Sequence, residues 1–378
     1  MPASHDKYYT KLTLSDRSLR IAGVTLIYLP DFIYVITSLS FFEVGESFIT
    51  KIRPFITLAV LLVVQLIAAL PVYGGEGGLK GASFVPQWLP QAQFAGYYVA
   101  LYKGIYKKYG IDLKIITGGP DNPPTSLLDN GTADFASMWL STAIDTRAHG
   151  HKLVNIAQIV RRTSQMLVAR KKSGITTPQD LNGKKVSLWG GDSSIQGLAF
   201  IKKYNLTVKI VNQSPTVNVF MRGGVDAASA MLYNEYHTML NSGLDPDELT
   251  TFSFYEHGVD FPEDGLYVSE DKFAADPALC CAFAQASIEG WLYAFAHPDE
   301  AIDIMMKYML RAHVPSSYAH QHWMLAKMRD LIIPDNDTAN IGILRQEDYE
   351  RTAAELKSGG LTETIPEFNS FYKNCVKK

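Results

Sequence analysis

Two hydrophobic periods alternate along the chain, and the switches between them mark the elements. In residues 105–120, IYKKYGIDLKIITGGP, a helix-period segment closes on Lys107-Lys108-Tyr109, Gly110 follows, and β-branched positions then alternate with polar ones. Residues 200–215, FIKKYNLTVKIVNQSP, repeat this pattern without a gap, with Asn205 in the place of Gly110. Glycine and asparagine are the residues that accept the left-handed conformation just past a helix end. Pro120 and Pro215 each open a loop. The parallel continues: Asp134-Phe135-Ala136-Ser137-Met138 follows Gly131 as Asp226-Ala227-Ala228-Ser229-Ala230-Met231 follows Gly223-Gly224. Each copy predicts strand, helix, glycine-containing turn, strand.

The copies start too far apart for a solenoid unit. A strand–helix–strand pattern instead requires a crossover that buries both faces of a mostly parallel sheet, so two α/β lobes are expected. Residues 76–168 with 265–378 would form a discontinuous first lobe and 169–264 the second. The chain would cross twice, near 169 and 263, as in a hinge-bending clamp. A strand at 266–269 and helices at 277–296, 298–310, 316–330 and 347–357 would pack back on the first lobe.

Residues 1–75 read differently. Lys51 and Arg53 precede an uncharged run at 56–70 and then Pro71-Val72-Tyr73-Gly74, the pattern of a secretory signal peptide cut after Gly74. The run is shorter than the roughly 20 residues a bilayer-spanning helix needs. Residues 19–44 are also largely apolar, so translation is expected to start downstream, between 44 and 51; an uncleaved membrane anchor is the rival reading. No cysteine stands near the cut to carry a lipid.

The chain has 378 residues, 47% hydrophobic and 19% charged, enough for about two domains. A net charge of −3 gives no basic field for nucleic acid or anionic lipid. Of three cysteines, Cys280 and Cys281 are adjacent, which fits neither a disulfide framework nor a metal spacing; all are expected as small buried hydrophobes. The nine histidines form no HExxH, and no GxSxG elbow, P-loop or dinucleotide fingerprint occurs. His149, His151 and His257 are expected on the surface. No catalytic residue, metal or cofactor is expected, and the protein should be a monomer.

In open α/β sheets, ligands sit beyond the carboxyl ends of the strands. Trp88, Trp139 and Trp189 each follow a predicted strand, and Tyr233 ends another, so these rings would line a cleft suited to a flat ligand. Trp291 lies mid-helix and should be core. Ser141, just past Trp139, joins the candidate set. Glu235, at an expected helix start, could accept from a ligand amino group or protonated ring nitrogen. Asp192-Ser193-Ser194 after Gly190-Gly191 offers a helix start for an anion, and Arg161 and Arg162 could serve one too.

The stretch Trp88-Leu89-Pro90-Gln91-Ala92-Gln93-Phe94-Ala95-Gly96-Tyr97-Tyr98 resembles the opening of the NMT1/THI5-like substrate-binding proteins. Gly131-Thr132-Ala133-Asp134-Phe135, Asp180-Leu181-Asn182-Gly183-Lys184-Lys185-Val186 and Tyr233-Asn234-Glu235-Tyr236 match in the family's order, over residues 82–310. The resemblance implies the two-lobed periplasmic-binding-protein clamp of type II, a periplasmic location and an ABC permease as partner. The implied ligands are thiamine-precursor pyrimidines, riboflavin-like compounds, alkanesulfonates or taurine. It also implies that Trp88, Gln93, Tyr97, Trp139 and Glu235 line the cleft. One branch consists of pyrimidine synthases that consume pyridoxal phosphate and a histidine of their own. Gln93 stands where that branch has its histidine, Met138 lies near the place of its lysine, and residues 258–265 lack its cysteine run. A binding protein rather than an enzyme is therefore expected.

Overall fold

The structure, a computed structural model, describes residues 18–21, 24–29, 32–37, 78–315 and 317–376. Residues up to 76 and from 77 onward form two separate units. In the first, Ser18–Ile21 (β1), Val24–Leu29 (β2) and Phe32–Thr37 (β3) pair as an antiparallel meander, in the region expected to lie upstream of the translation start. The uncharged run at 56–70 and the cut after Gly74 lie outside the described residues.

The second unit carries two five-stranded sheets. Chain order gives β4 (Lys80–Val85), helices α1 (Ala95–Tyr102) and α2 (Ile105–Lys108), β5 (Ile111–Ile115), α3 (Pro124–Asp129), β6 (Phe135–Trp139), α4 (Leu140–Ala148) and β7 (Leu153–Gln158). Then come β8 (Gln165–Arg170), β9 (Lys185–Leu188), α5 (Ile195–Lys203), β10 (Lys209–Asn212), α6 (Asn218–Met221), β11 (Ala227–Met231), α7 (Glu235–Asn241) and β12 (Leu249–Ser253). Strand β13 (Asp264–Ser269) is followed by α8 (Glu270–Ala275), α9 (Pro277–Ala296), α10 (Pro298–Arg311), α11 (Tyr318–Ile332), α12 (Gln346–Ser358) and α13 (Phe368–Phe371).

The strand orders are β5-β4-β6-β13-β7 and β10-β9-β11-β8-β12. In each, three strands run parallel and one reversed strand sits between them and an outer strand. The reversed strands, β13 and β8, are the ones that enter each sheet after the chain has crossed from the other. The repeat read from sequence therefore extends to topology. Gly110 and Asn205, its aligned pair, both hold positive φ, 78° and 50°.

The first crossing falls at residues 159–164 rather than after 168, because Gln165–Arg170 pairs with β11 and β12. Strand β8 is buried along nearly its whole length, so its apolar run carried no sign of which sheet it joins. The second crossing runs through 254–263. The C-terminal helices begin and end within two residues of the expected bounds. Helix α9 lies on the first sheet, where Phe283 stacks on Phe135 with centroids 4.0 Å apart. Helices α1 and α9 approach so closely that a Cβ on Gly290 would stand 2.2 Å from the Gly96 carbonyl oxygen.

The cysteine expectation is corrected. Cys281 pairs with Cys375 in a disulfide that ties the C-terminal segment to α9, and only Cys280 is a free buried thiol. The partners lie 94 residues apart in sequence but with Cα atoms 4.6 Å apart, a proximity that spacing alone could not reveal.

Candidate functional site

A cavity of about 820 Å³ opens where parallel strands of both sheets end. The first sheet contributes Trp88 from the loop after β4, Gln91 and Gln93 beside the short turn Ala92–Phe94, and Trp139, the last residue of β6. The second contributes Trp189 after β9, Met231 at the end of β11, and Tyr233, Asn234 and Glu235 leading into α7. Both walls are thus built from the corresponding ends of the repeated unit, which is where the crevice of such sheets lies.

The walls touch. The Tyr233 hydroxyl donates to Gln93 Oε1 at 3.1 Å, while Gln93 Nε2 donates to Gln91 Oε1 at 2.8 Å. Glu235 is buried; its Oε2 accepts from the Met231 amide at 3.0 Å and its Oε1 from Asn234 Nδ2 at 2.8 Å. Burial raises its pKa against the opposing pull of these donors, so the carboxylate is less willing to ionise than one in water.

Behind the first wall, the Gln87 amide donates to Ser137 Oγ at 3.0 Å, and Ser137 in turn to Asp264 Oδ2 at 3.3 Å. Glu263, on the second crossing, accepts from the Ser164 amide and hydroxyl, on the first, at 2.5 and 2.8 Å. The two crossings are therefore pinned to each other through this carboxylate and through Asp260, whose Oδ1 accepts from the Thr163 amide at 2.8 Å. Burial pushes the Glu263 pKa up to about 7 and that of Asp264 up to about 8.

Six of the eight residues singled out from sequence stand on the cavity: Trp88, Gln93, Trp139, Trp189, Tyr233 and Glu235. Tyr97 and Ser141 do not. Tyr97 is fully buried, with its ring edge-on to Phe84 and Trp291 at 4.9 and 5.5 Å, because its place on α1 turns it into the core. Ser141, in the first turn of α4, is buried beside the sheet end. Trp291 is core, as read.

Arg161 and Arg162 bind Asp337 and Asp335, at 2.9 and 3.2 Å, and neither lines the cavity. Ser193 reaches it from the Gly191–Ser194 turn. Of the three histidines expected on the surface, His151 meets Asp129 and His257 meets the Tyr204 hydroxyl, each at 2.5 Å. Gln87, Thr216, Asn218 and Thr238 were missed, although each lies in the loop after a strand or in the first turn of the helix that follows it, where the strand-end rule that found the tryptophans also reaches. Among the described residues no group of three or more metal-ligating side chains occurs, and no helix is long and apolar enough to cross a membrane.

Residues 91–301 match the family described as NMT1/THI5 like, more than half of the chain. The chain belongs to the NMT1/THI5-like family. Its relatives include a riboflavin-binding protein of Chloroflexus aurantiacus, 24% identical over 65% of this chain and 71% of the relative. A formylaminopyrimidine-binding protein of Halalkalibacterium halodurans is 22% identical over 70% and 82%. A 4-amino-5-hydroxymethyl-2-methylpyrimidine phosphate synthase of Saccharomyces cerevisiae is 28% identical, over only 33% of this chain and 37% of its own.

Among solved structures, the periplasmic aliphatic sulphonate binding protein of Escherichia coli superposes with a TM-score of 0.60 at 15% identity, covering 77% of this chain and 97% of that one. The fold of this NMT1/THI5-like protein is thus the two-lobed periplasmic-binding-protein clamp. The match begins at residue 91, so Trp88 lies just outside it, as does α11.

Proposed function

We propose that this chain is an extracytoplasmic solute-binding protein that captures a flat heteroaromatic molecule, of aminopyrimidine type, and delivers it to an ABC permease. One observation carries the reading: three tryptophans, Tyr233 and a buried carboxylate line one cavity between two lobes. Rings supply stacking area for a planar ligand, and a carboxylate of low local polarity rewards an amino or protonated ring-nitrogen donor. A sulfonate calls for Arg, Lys or a row of free amides; among the described residues no Arg or Lys lines this cavity, and Arg161 and Arg162 are committed elsewhere.

The cavity's size lies within the usual range for small-molecule sites. Ligand gripped from both walls would favour lobe closure, the signal a permease can read. The disulfide supports an oxidising compartment outside the cytoplasm, in line with the leader pattern at 51–74.

A thermal-shift panel on the full chain tests this with formylaminopyrimidine, riboflavin, thiamine, pyridoxal phosphate and taurine. A ligand at 100 times its dissociation constant adds about 2.7 kcal/mol, a rise of several degrees at this size. The expected result is a rise with one heterocycle that Trp139→Ala and Glu235→Gln each lower by tenfold or more in affinity. A rise with taurine alone would overturn the ligand class. A rise with pyridoxal phosphate alone would point to the synthase branch.

A further inference from the structure

A chain of side chains joins the cavity carboxylate to a helix on the other side of the cleft. Helix α11 belongs with the first lobe: Met324, Leu325, Met328 and Leu331 are buried in the core formed with α1 and α9, and Gln321 Oε1 accepts from the Ala92 amide at 2.7 Å. From there His320 reaches α7 of the second lobe. Its Nε2 lies 3.0 Å from Asn234 Oδ1 and its Nδ1 2.8 Å from His237 Nδ1. Trp323, one turn on, donates from Nε1 to the Leu232 carbonyl at 2.9 Å and lies over the His237 ring, 4.6 Å away and tilted by 7°.

The chemistry fixes the protons. Asn234 Nδ2 donates to Glu235, so its oxygen faces His320 and accepts from Nε2–H. A neutral His320 then has a bare Nδ1, and His237 must supply the proton between the rings, so Asn241, whose Nδ2 stands 3.2 Å from that same His237 Nδ1, must turn its amide oxygen there instead. The two ring planes differ by only 18° with centroids 5.1 Å apart, little more than the nitrogen–nitrogen distance plus one ring radius on each side, so the bond lies nearly in the plane of both rings. The donors therefore all point one way, from His237 to His320 to Asn234 to Glu235.

We infer that His320 is a positioning residue for ligand capture, holding Asn234 and Glu235 in place from the opposite lobe, and that the His237–His320 contact is an acid-opened latch on the clamp. This rests on the binding reading above. One extra proton is tolerated, because a charged His237 still donates to His320. A second leaves both Nδ1 atoms carrying hydrogen, face to face, and the contact must part.

Burial lowers both histidine pKa values, and the charge of His237 lowers that of His320 further, so closure is weakened as pH falls below the ordinary histidine value. The other charged groups nearby are Glu235 at the far end of the relay, Lys327 over the Trp323 ring at 4.9 Å, Asp303 and Lys307 around Tyr318, and Asp299 near His322 at 3.7 Å. None of these bonds to either ring of the pair.

The test uses the full chain without ligand first. Histidine ¹⁵N spectra should show His320 protonated at Nε2 alone at pH 8, and small-angle scattering with tryptophan fluorescence should show an opening step between pH 8 and 5. His320→Gln, which can still accept from His237 and donate to Asn234 but takes no proton, should stay closed and lose the step. His320→Ala should be open across the range.

Formylaminopyrimidine and riboflavin titrations form the second arm, in which the probe that binds should lose tenfold or more in affinity from pH 8 to 5 in the wild type and much less in His320→Gln. A wild-type step retained in full by His320→Gln, or no step in the wild type, overturns the latch. If neither probe binds while the ligand-free step follows the histidines, the latch stands and the choice of ligand fails.

Discussion

The two lobes are built on one plan but finished differently. Both place an aspartate before the third strand that accepts from the amide of the first strand: Asp134 from Ser83, and Asp226 from Lys185, each at 2.8 Å. The first sheet is then covered by the 20-residue α9, whose Phe283 meets Phe84, Tyr106 and Phe135, and a disulfide closes the C-terminal segment over it. The second carries no helix longer than nine residues between β8 and β12, and its edge strand β10 leaves Ile210 half exposed. The difference teaches that a duplicated backbone can yield a heavy frame and a light jaw, which is the division of labour a hinged clamp needs.

The comparison breaks most strongly at the disulfide, a device only the frame possesses among the described residues. A Cys281→Ser/Cys375→Ser protein should lose about 2–4 kcal/mol, because the bridge closes a long loop of the unfolded chain. Urea unfolding of oxidised and reduced protein checks it; if reduction leaves the midpoint unmoved, the frame does not depend on its staple. Gly290→Ala comes next. Its methyl would press on the Gly96 carbonyl, so α1 and α9 must separate, at a cost of about 1–3 kcal/mol. Ligand affinity should change little, since the contact lies in the frame and away from the cavity.

Much of this was legible because backbone chemistry writes it into residue type. The left-handed Gly110 and Asn205, the prolines that open loops and the aspartates before third strands all recur in register, and tryptophans at strand ends fall on the cavity because strand ends make the crevice. The family resemblance places Tyr97 on the cleft, but α1 is buried on nearly every side, Ala95 through Ala100, and Tyr97 turns into the core there. The expected lobe boundary cuts β8 after residue 168 for a similar reason, since a strand buried along its length does not say which sheet it joins. The disulfide and the His237–His320 contact join residues far apart in sequence, 94 apart for the cysteines, and nothing local announces either.

The finest test compares the two aspartates directly. Asp134 accepts from the amide and hydroxyl of Ser83 and also pairs with Lys272 Nζ at 2.6 Å, whereas the contact given by Asp226 is the Lys185 amide alone. Burial pushes the Asp134 pKa up, but Lys272 and the Ser83 donors outweigh it and hold the carboxyl below its usual range. A depressed carboxylate contributes stability that is complete above its unfolded value, near 3.8, and is lost as pH falls through the folded one. Asp134→Asn should therefore cost more than Asp226→Asn at neutral pH, by about 1 kcal/mol after allowing for solvent screening at this half-exposed site. The gap between the two variants should close only as pH falls below about 3.8 and through the depressed value at which folded Asp134 takes up its proton. Equal costs at neutral pH would mean that Lys272 adds nothing, and that the frame and the jaw share this device without any difference between them.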